Sequence, residues 1–260
     1  MAELVHLQRE GPIARLTLSN PDRLNALSDA MIAALHARLE ETAADDALRV
    51  VILSGEGRAF CAGHDLKEMQ AARQAPDGGA AAHADLFDRC AAMMLAIRDH
   101  PRPIVAQVHG VAVAAGCQLA ATCDLVVADK EARFGVNGVN IGLFCSTPMV
   151  ALSRAVGRKA AFEMLTTGRL IGADEAMRLG LVNRVAADVA ESAGDLARTI
   201  ADKLGSAVRV GKRAFYEQAE MGVREAYAHT GRVMALNLAD ADTAEGIDAF
   251  LEKRPPAWGA

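Results

Sequence analysis

The chain has 260 residues, with 28 Lys and Arg against 33 Asp and Glu for a net charge of -5, and it is 52% hydrophobic. This is the balance of a soluble globular protein with enough chain to bury a full core, and its acidic sign excludes a general nucleic-acid surface, which needs a basic footprint. No run of about 18 apolar residues occurs, so no membrane span is expected. Met1-Ala2-Glu3-Leu4-Val5-His6 lacks the basic-then-apolar order of a signal peptide and the Arg/Ser-rich character of a transit peptide, which sets an expectation of a cytoplasmic address. Five cysteines without a CxxC pair read as reduced, mostly buried thiols, and no metal site is expected.

In chain order, two alternating runs at 5–9 and 14–18 flank Glu10-Gly11-Pro12 and predict a hairpin. Ser28 then caps a helix whose inner face carries Met31, Ile32, Leu35 and Leu39. Continuous apolar runs at 50–53, 104–108 and 125–128 read as buried strands, and a helical pattern from Phe87 to Arg98 lies between the first two. Strands separated by helices predict parallel βαβ units. Pro76-Asp77-Gly78-Gly79 reads as a mobile loop over the first of two glycine motifs described next. Beyond about residue 148 the strand signal ends, and helical patterns take over at 150–156, 159–165, 173–179, 189–204, 208–221 and 223–238. One main unit with a helical appendage is the expected organisation, without internal repeats.

The two glycine motifs are Ala59-Phe60-Cys61-Ala62-Gly63-His64-Asp65-Leu66-Lys67 and Val111-Ala112-Val113-Ala114-Ala115-Gly116-Cys117-Gln118-Leu119. Each follows an apolar strand and leads into a helix, which presents backbone N–H groups and a helix dipole to negative charge. Two such N–H groups converging on one carbonyl oxygen make an oxyanion hole, commonly the largest single source of rate acceleration in acyl chemistry. Neither motif has the G-x-G-x-x-G form of a dinucleotide site.

These motifs, followed by Phe134-Gly135, Ile141-Gly142, Arg154-Ala155-Val156-Gly157, TGRLIGADEAMRLGLVNRV and the closing Glu245 to Arg254, resemble the enoyl-CoA hydratase/isomerase (crotonase) family in order and spacing over essentially the whole chain. The resemblance implies an α/β fold, a crotonase-like spiral of ββα and βαβ turns. Residues 1–200 would form the core with the acyl-CoA pocket, and 201–260 a helical oligomerisation region giving a homotrimer or a dimer of trimers. It also implies a lyase-type enzyme of fatty acyl-CoA metabolism that uses no cofactor beyond the CoA thioester it binds as substrate or ligand.

By the same resemblance the N–H groups of His64 and Ala115 grip the thioester carbonyl. Three glycines are usual in the family where Ala114, Ala115 and Gly116 stand, and alanine suits those places where φ is negative. Two family glutamates that hold the added water fall at Gln118 and Gly138, neither of which can transfer a proton. Ser146 stands where other members carry a carboxylate or another functional group, and Cys145 lies beside it. His64 serves through its backbone or through its imidazole, Asp65 reads as a helix cap, and Asp124 as a carboxylate bonded to backbone N–H groups. Arg23, Lys67 and the Lys253-Arg254 pair are candidates for the CoA phosphates. Ala26, Ala62, Leu66 and Phe250 are expected to line the ligand. The alternatives are an inert acyl-CoA-binding or regulatory protein, or isomerase or thioester-hydrolase chemistry.

Overall fold

The computed structural model describes residues 3–258. In chain order, β1 (Val5–Glu10) and β2 (Ile13–Leu18) are followed by α1 (Asp29–Ala43), β3 (Val50–Gly55), α2 (Leu66–Ala72) and α3 (Ala80–Arg98). Then come β4 (Ile104–Val108), β5 (Val111–Val113), α4 (Ala115–Thr122), β6 (Leu125–Asp129) and β7 (Arg133–Gly135). Next are α5 (Pro148–Ala155), α6 (Arg158–Thr167), β8 (Ile171–Gly172), α7 (Ala173–Leu179) and β9 (Arg184–Ala186). Four helices close the chain: α8 (Val189–Ala201), α9 (Gly205–Gln218), α10 (Val223–Leu238) and α11 (Ala241–Leu251).

The strands form a six-stranded sheet in the order β1-β2-β3-β4-β6-β9 and a smaller sheet in the order β5-β7-β8. β1 and β2 pair antiparallel around the expected hairpin, and every later pairing in the large sheet is parallel. Parallel strands covered on both faces are apolar at every position, and β3 shows why. Val51 and Leu53 face the main core, whereas Val50 and Ile52 pack with Val105 and Val127 against Ala193, Leu196 and Ala197 of α8. On the opposite face lies α1, whose cap is Ser28 accepting from Met31 N–H at 3.1 Å, with Met31, Ile32, Leu35 and Leu39 buried.

Two expectations are corrected. Strands do occur beyond residue 148, β8 and β9, because two or three residues held by neighbours need no periodicity of their own. Residues 76–79, read as a mobile loop, form a hydrogen-bonded turn. Asp77 accepts from the N–H groups of Gly79 and Ala81, each at 2.9 Å, and the alanines that follow are the first turns of α3.

The appendage is fastened by α9. Lys212, nearly buried, donates to the carbonyls of Ile97 and Arg102 at 3.1 Å each and to Asp124 at 2.7 Å. Tyr216 donates to the other Asp124 oxygen at 2.9 Å, and the Ile104 N–H completes the set at 2.7 Å. Beyond this tie, α10 packs mainly on α9 and α11. No helix among the described residues is long and apolar enough to cross a membrane.

Candidate active site

The two glycine motifs are brought together by backbone pairing. Phe60 and Cys61 N–H groups donate to the carbonyls of His109 and Val111, and Val113 N–H donates back to Cys61, each at 3.1 Å. On the other flank Leu27 N–H donates to Gly63 at 2.8 Å, while Asp65 N–H donates to Leu27 at 3.4 Å. The motifs therefore end side by side, and a Cβ built on Gly63 would lie 3.3 Å from the Ala115 nitrogen. Among the described residues, the N–H groups of His64 and Ala115 have no acceptor within the protein.

Local sequence explains the two chain reversals. Asp65 is the cap of α2, accepting from Lys67 and Glu68 N–H groups at 2.9 and 3.3 Å, as expected. At the second reversal a Cβ on Gly116 would stand 2.1 Å from the Cys61 carbonyl oxygen, so only glycine lets the motifs approach this closely. Ala115 opens α4 with helical geometry, but the condition of negative φ fails at Ala114, which sits at φ 50 and ψ -120. Such backbone costs about 1–3 kcal/mol in a residue with a Cβ. It is held by the Ala114 N–H bond to Gly135 at 2.8 Å and by the Ala114 carbonyl accepting from Gln118 N–H at 3.1 Å.

The side chains around these N–H groups are short of proton-transfer chemistry. Both ring nitrogens of His64 are buried with no well-aligned hydrogen bond among the described residues, its ring meets Phe87 edge-on at 5.6 Å, and desolvation, opposed only by the nearby Leu27 backbone and Asp29, holds its pKa below the ordinary histidine value. It is a neutral imidazole. Gln118 is 5% exposed, with its amide oxygen buried and unpartnered. At Gly138 a Cβ would meet the Leu143 carbonyl oxygen at 2.3 Å and the Cys145 sulfur at 2.9 Å, so no side chain fits without a backbone shift. The buried Cys145 thiol is pushed up in pKa by desolvation, which keeps it protonated. Ser146 is exposed, its hydroxyl contacts only the Phe144 carbonyl at 3.5 Å, and no base adjoins it among the described residues.

The remaining candidates divide. Arg23 lies at the first motif but is paired with Asp65 at 2.6 Å. Leu66 and Lys67 are exposed on the first turn of α2, and the Lys67 ammonium has no partner among the described residues. Ala62 donates its N–H to Leu24 at 3.0 Å, which sets it beside the turn carrying buried Ala26. Phe250, 82% exposed, is on α11, and Lys253 follows it; neither is brought to the cluster by α11, which packs on α10. Arg254 is taken by Glu245 at 2.6 and 2.9 Å.

One organising residue was not singled out from the sequence. Asn25, fully buried with φ 53, accepts from Asn20 N–H at 2.9 Å and donates to the carbonyls of Glu56 and Ala59 at 2.9 and 2.8 Å. It clamps the approach to the first motif. The turn signals of Asn20-Pro21-Asp22 and Asn25 are its trace in the sequence.

The fold is thus a parallel βα arrangement in which two free N–H groups, one just before α2 and one at the start of α4, lie side by side. The chain belongs to the enoyl-CoA hydratase/isomerase family, whose model matches residues 8–260. It is 45% identical over 257 residues to the rat enoyl-CoA hydratase domain-containing protein 3, mitochondrial, covering 98% of this chain and 84% of that protein. Among solved structures it is similar to a Mycobacterium smegmatis enoyl-CoA hydratase, with TM-score 0.95, 50% identity and 98% coverage of each chain. It is also similar to human enoyl-CoA hydratase domain-containing protein 3, with TM-score 0.93, 44% identity, and coverage of 98% and 100%. The crotonase-like fold expected from the motifs is thereby borne out. The cytoplasmic expectation is corrected, because the rat relative is named as mitochondrial. An address is read by receptors from a short signal and leaves no mark on the packing of the folded domain.

Proposed function

We propose that this protein is an acyl-CoA-binding enzyme that holds a thioester carbonyl between the N–H groups of His64 and Ala115. The observation that carries the reading is the pair of unpartnered N–H groups at the starts of α2 and α4, set side by side by the 59–63 and 109–113 pairing. The dipole of α4 adds to them, and together they stabilise negative charge on the thioester oxygen, as an enolate or a tetrahedral adduct. Lys67, exposed and unpartnered, is the nearby cation offered to the CoA phosphates. Gln118 orients a water or substrate group by its amide but moves no proton.

Ordinary hydration is therefore slow. Each missing general acid or base costs about 10²–10⁴-fold. A second reading, an acyl-CoA-binding protein without turnover, is favoured by the backbone at Gly138, where the Leu143 carbonyl occupies the space of any side chain. Crotonyl-CoA separates the two. Binding stabilises the fold by about 2.7 kcal/mol at a hundredfold excess over Kd. Loss of the conjugated thioester absorbance measures hydration, and Gln118→Glu is expected to raise its rate. Fast turnover by the unaltered protein would overturn the expectation of slow hydration, no thermal shift with any CoA ester would exclude both readings, and a Gln118→Glu variant that binds without turnover would favour the second.

The reading includes assembly as a homotrimer or a dimer of trimers. Its support is the exposed apolar surface of the last helices, with Tyr227 78%, Met234 77% and Leu236 75% exposed, more than a lone chain leaves wet.

A further inference from the structure

A cavity of about 850 Å³ opens beside Gln118, between α3, α4, α5 and α9. Part of its wall is apolar, with Met94, Ala121 and Leu181, while three arginines, Arg98, Arg154 and Arg158, also line it. They are under-neutralised. Arg98 and Arg154 share one carboxylate of the cavity, Glu220, each at 3.8 Å, and Arg98 is also 4.0 Å from Asp99 outside it. Asp124, the other lining carboxylate, is already taken by Lys212 and Tyr216. The Arg158 guanidinium has no partner among the described residues. Arg98 is held in place by its bond to the Tyr216 carbonyl at 3.4 Å and by stacking over the Tyr216 ring at 5.4 Å.

Two helices lead from the carbonyl-binding N–H groups to the cavity. α4 runs from Ala115 past Gln118 to Thr122, and the last two line the cavity. α3 runs from Phe87, against His64, to Arg98. At 1.5 Å per residue, the seven steps from Ala115 to Thr122 and the eleven from Phe87 to Arg98 put the basic end about 10 to 16 Å beyond the carbonyl-binding N–H groups. Gln118, nine-tenths buried with an unpartnered amide oxygen, stands at the junction.

We infer that the acyl groups this protein takes carry a second anionic group, a carboxylate, at the far end of a medium-length chain, bound by Arg154 and Arg158 with Arg98 behind them. The inference rests on the acyl-CoA reading and goes beyond it. An apolar wall ending in three guanidinium groups beside a single shared carboxylate matches a chain that is apolar along its length and charged at its tip.

Sebacoyl-CoA and decanoyl-CoA, equal in length and different only at the tip, test it by calorimetric titration. Sebacoyl-CoA is expected to bind roughly five- to tenfold more tightly at low salt, with the preference shrinking as ionic strength rises. The double variant Arg154→Met with Arg158→Met is expected to lose more affinity for sebacoyl-CoA than for decanoyl-CoA. Decanoyl-CoA binding as tightly as sebacoyl-CoA, or a double variant that weakens both equally, would overturn the inference and leave the acyl-CoA reading standing. Binding of neither ester would remove that reading, and the inference with it.

Discussion

The core and the C-terminal helices spend similar side chains in opposite ways. In the core, Leu16, Leu35, Leu53 and Phe60 are fully buried, and each face of the large sheet is covered by the chain's own helices. In α10 and α11, Val223, Tyr227, Leu236 and Phe250 are more than 70% exposed. Composition does not separate the two regions; chain connectivity does. A βαβ unit returns each helix onto its own sheet, whereas α10 and α11 follow the last strand and have no sheet left to cover. Joining them is α9, fixed by one buried ionic contact.

Cutting that contact gives the largest expected effect. Lys212→Met leaves Asp124 part-buried with its ammonium partner gone, and unfolding free energy in urea should fall by about 3–5 kcal/mol. Replacing Asp124 by Asn in the same chain should recover part of the loss. A drop below about 1 kcal/mol would mean that α9 is held by its apolar face instead.

Acid probes the core side of the same junction. His100 is buried, its Nε2 3.2 Å from the Thr42 hydroxyl and its Nδ1 at the Arg102 backbone, and desolvation pushes its pKa from 6.5 down to about 4. Between those values the unfolded chain binds a proton that the folded chain refuses. Stability is therefore full above pH 6.5 and is lost progressively as pH falls to about 4, by about 3 kcal/mol in all. Urea midpoints from pH 7 to 4 should show this fall, and His100→Gln should flatten it; an unchanged slope in that variant would assign the acid sensitivity elsewhere.

The smallest effect on the isolated fold is expected from the exposed helices. Met234→Glu with Leu236→Glu should change chain stability by no more than about 0.5 kcal/mol while shifting the mass in light scattering toward the monomer. An unaltered protein that already scatters as a monomer of 27.3 kDa would break the comparison, since the bare apolar face would then be its resting state.

Much of the core was legible because each element carries a local signal. The hairpin at Gly11, the Ser28 cap, the apolar runs of β3, β4 and β6, and the helices α7 and α10 follow from periodicity and turn chemistry. β5, β7 and β8 were not, since two- or three-residue strands exist only through their partners. α11 was likewise read only as part of the closing motif. At the site, the glycine motifs and the Asp65 cap are visible as residue patterns. The Asn25 clamp and the strained Ala114 are not, because nothing local distinguishes a buried asparagine from a turn residue or a strained alanine from a helical one.

By itself the sequence determined the family, the order of the βα units, the two motifs that supply N–H groups, and the absence of carboxylates at Gln118 and Gly138, because these are statements of residue identity and spacing. Only the tertiary structure decided that the N–H groups of His64 and Ala115 adjoin and stay free, that the Leu143 carbonyl closes the space at Gly138, and that Arg98 and Arg154 share one carboxylate in a cavity that Arg158 also lines. Each of these joins residues that are remote along the chain. Their proximity is set by strand pairing and helix packing summed over the whole fold, and no local stretch of sequence encodes it.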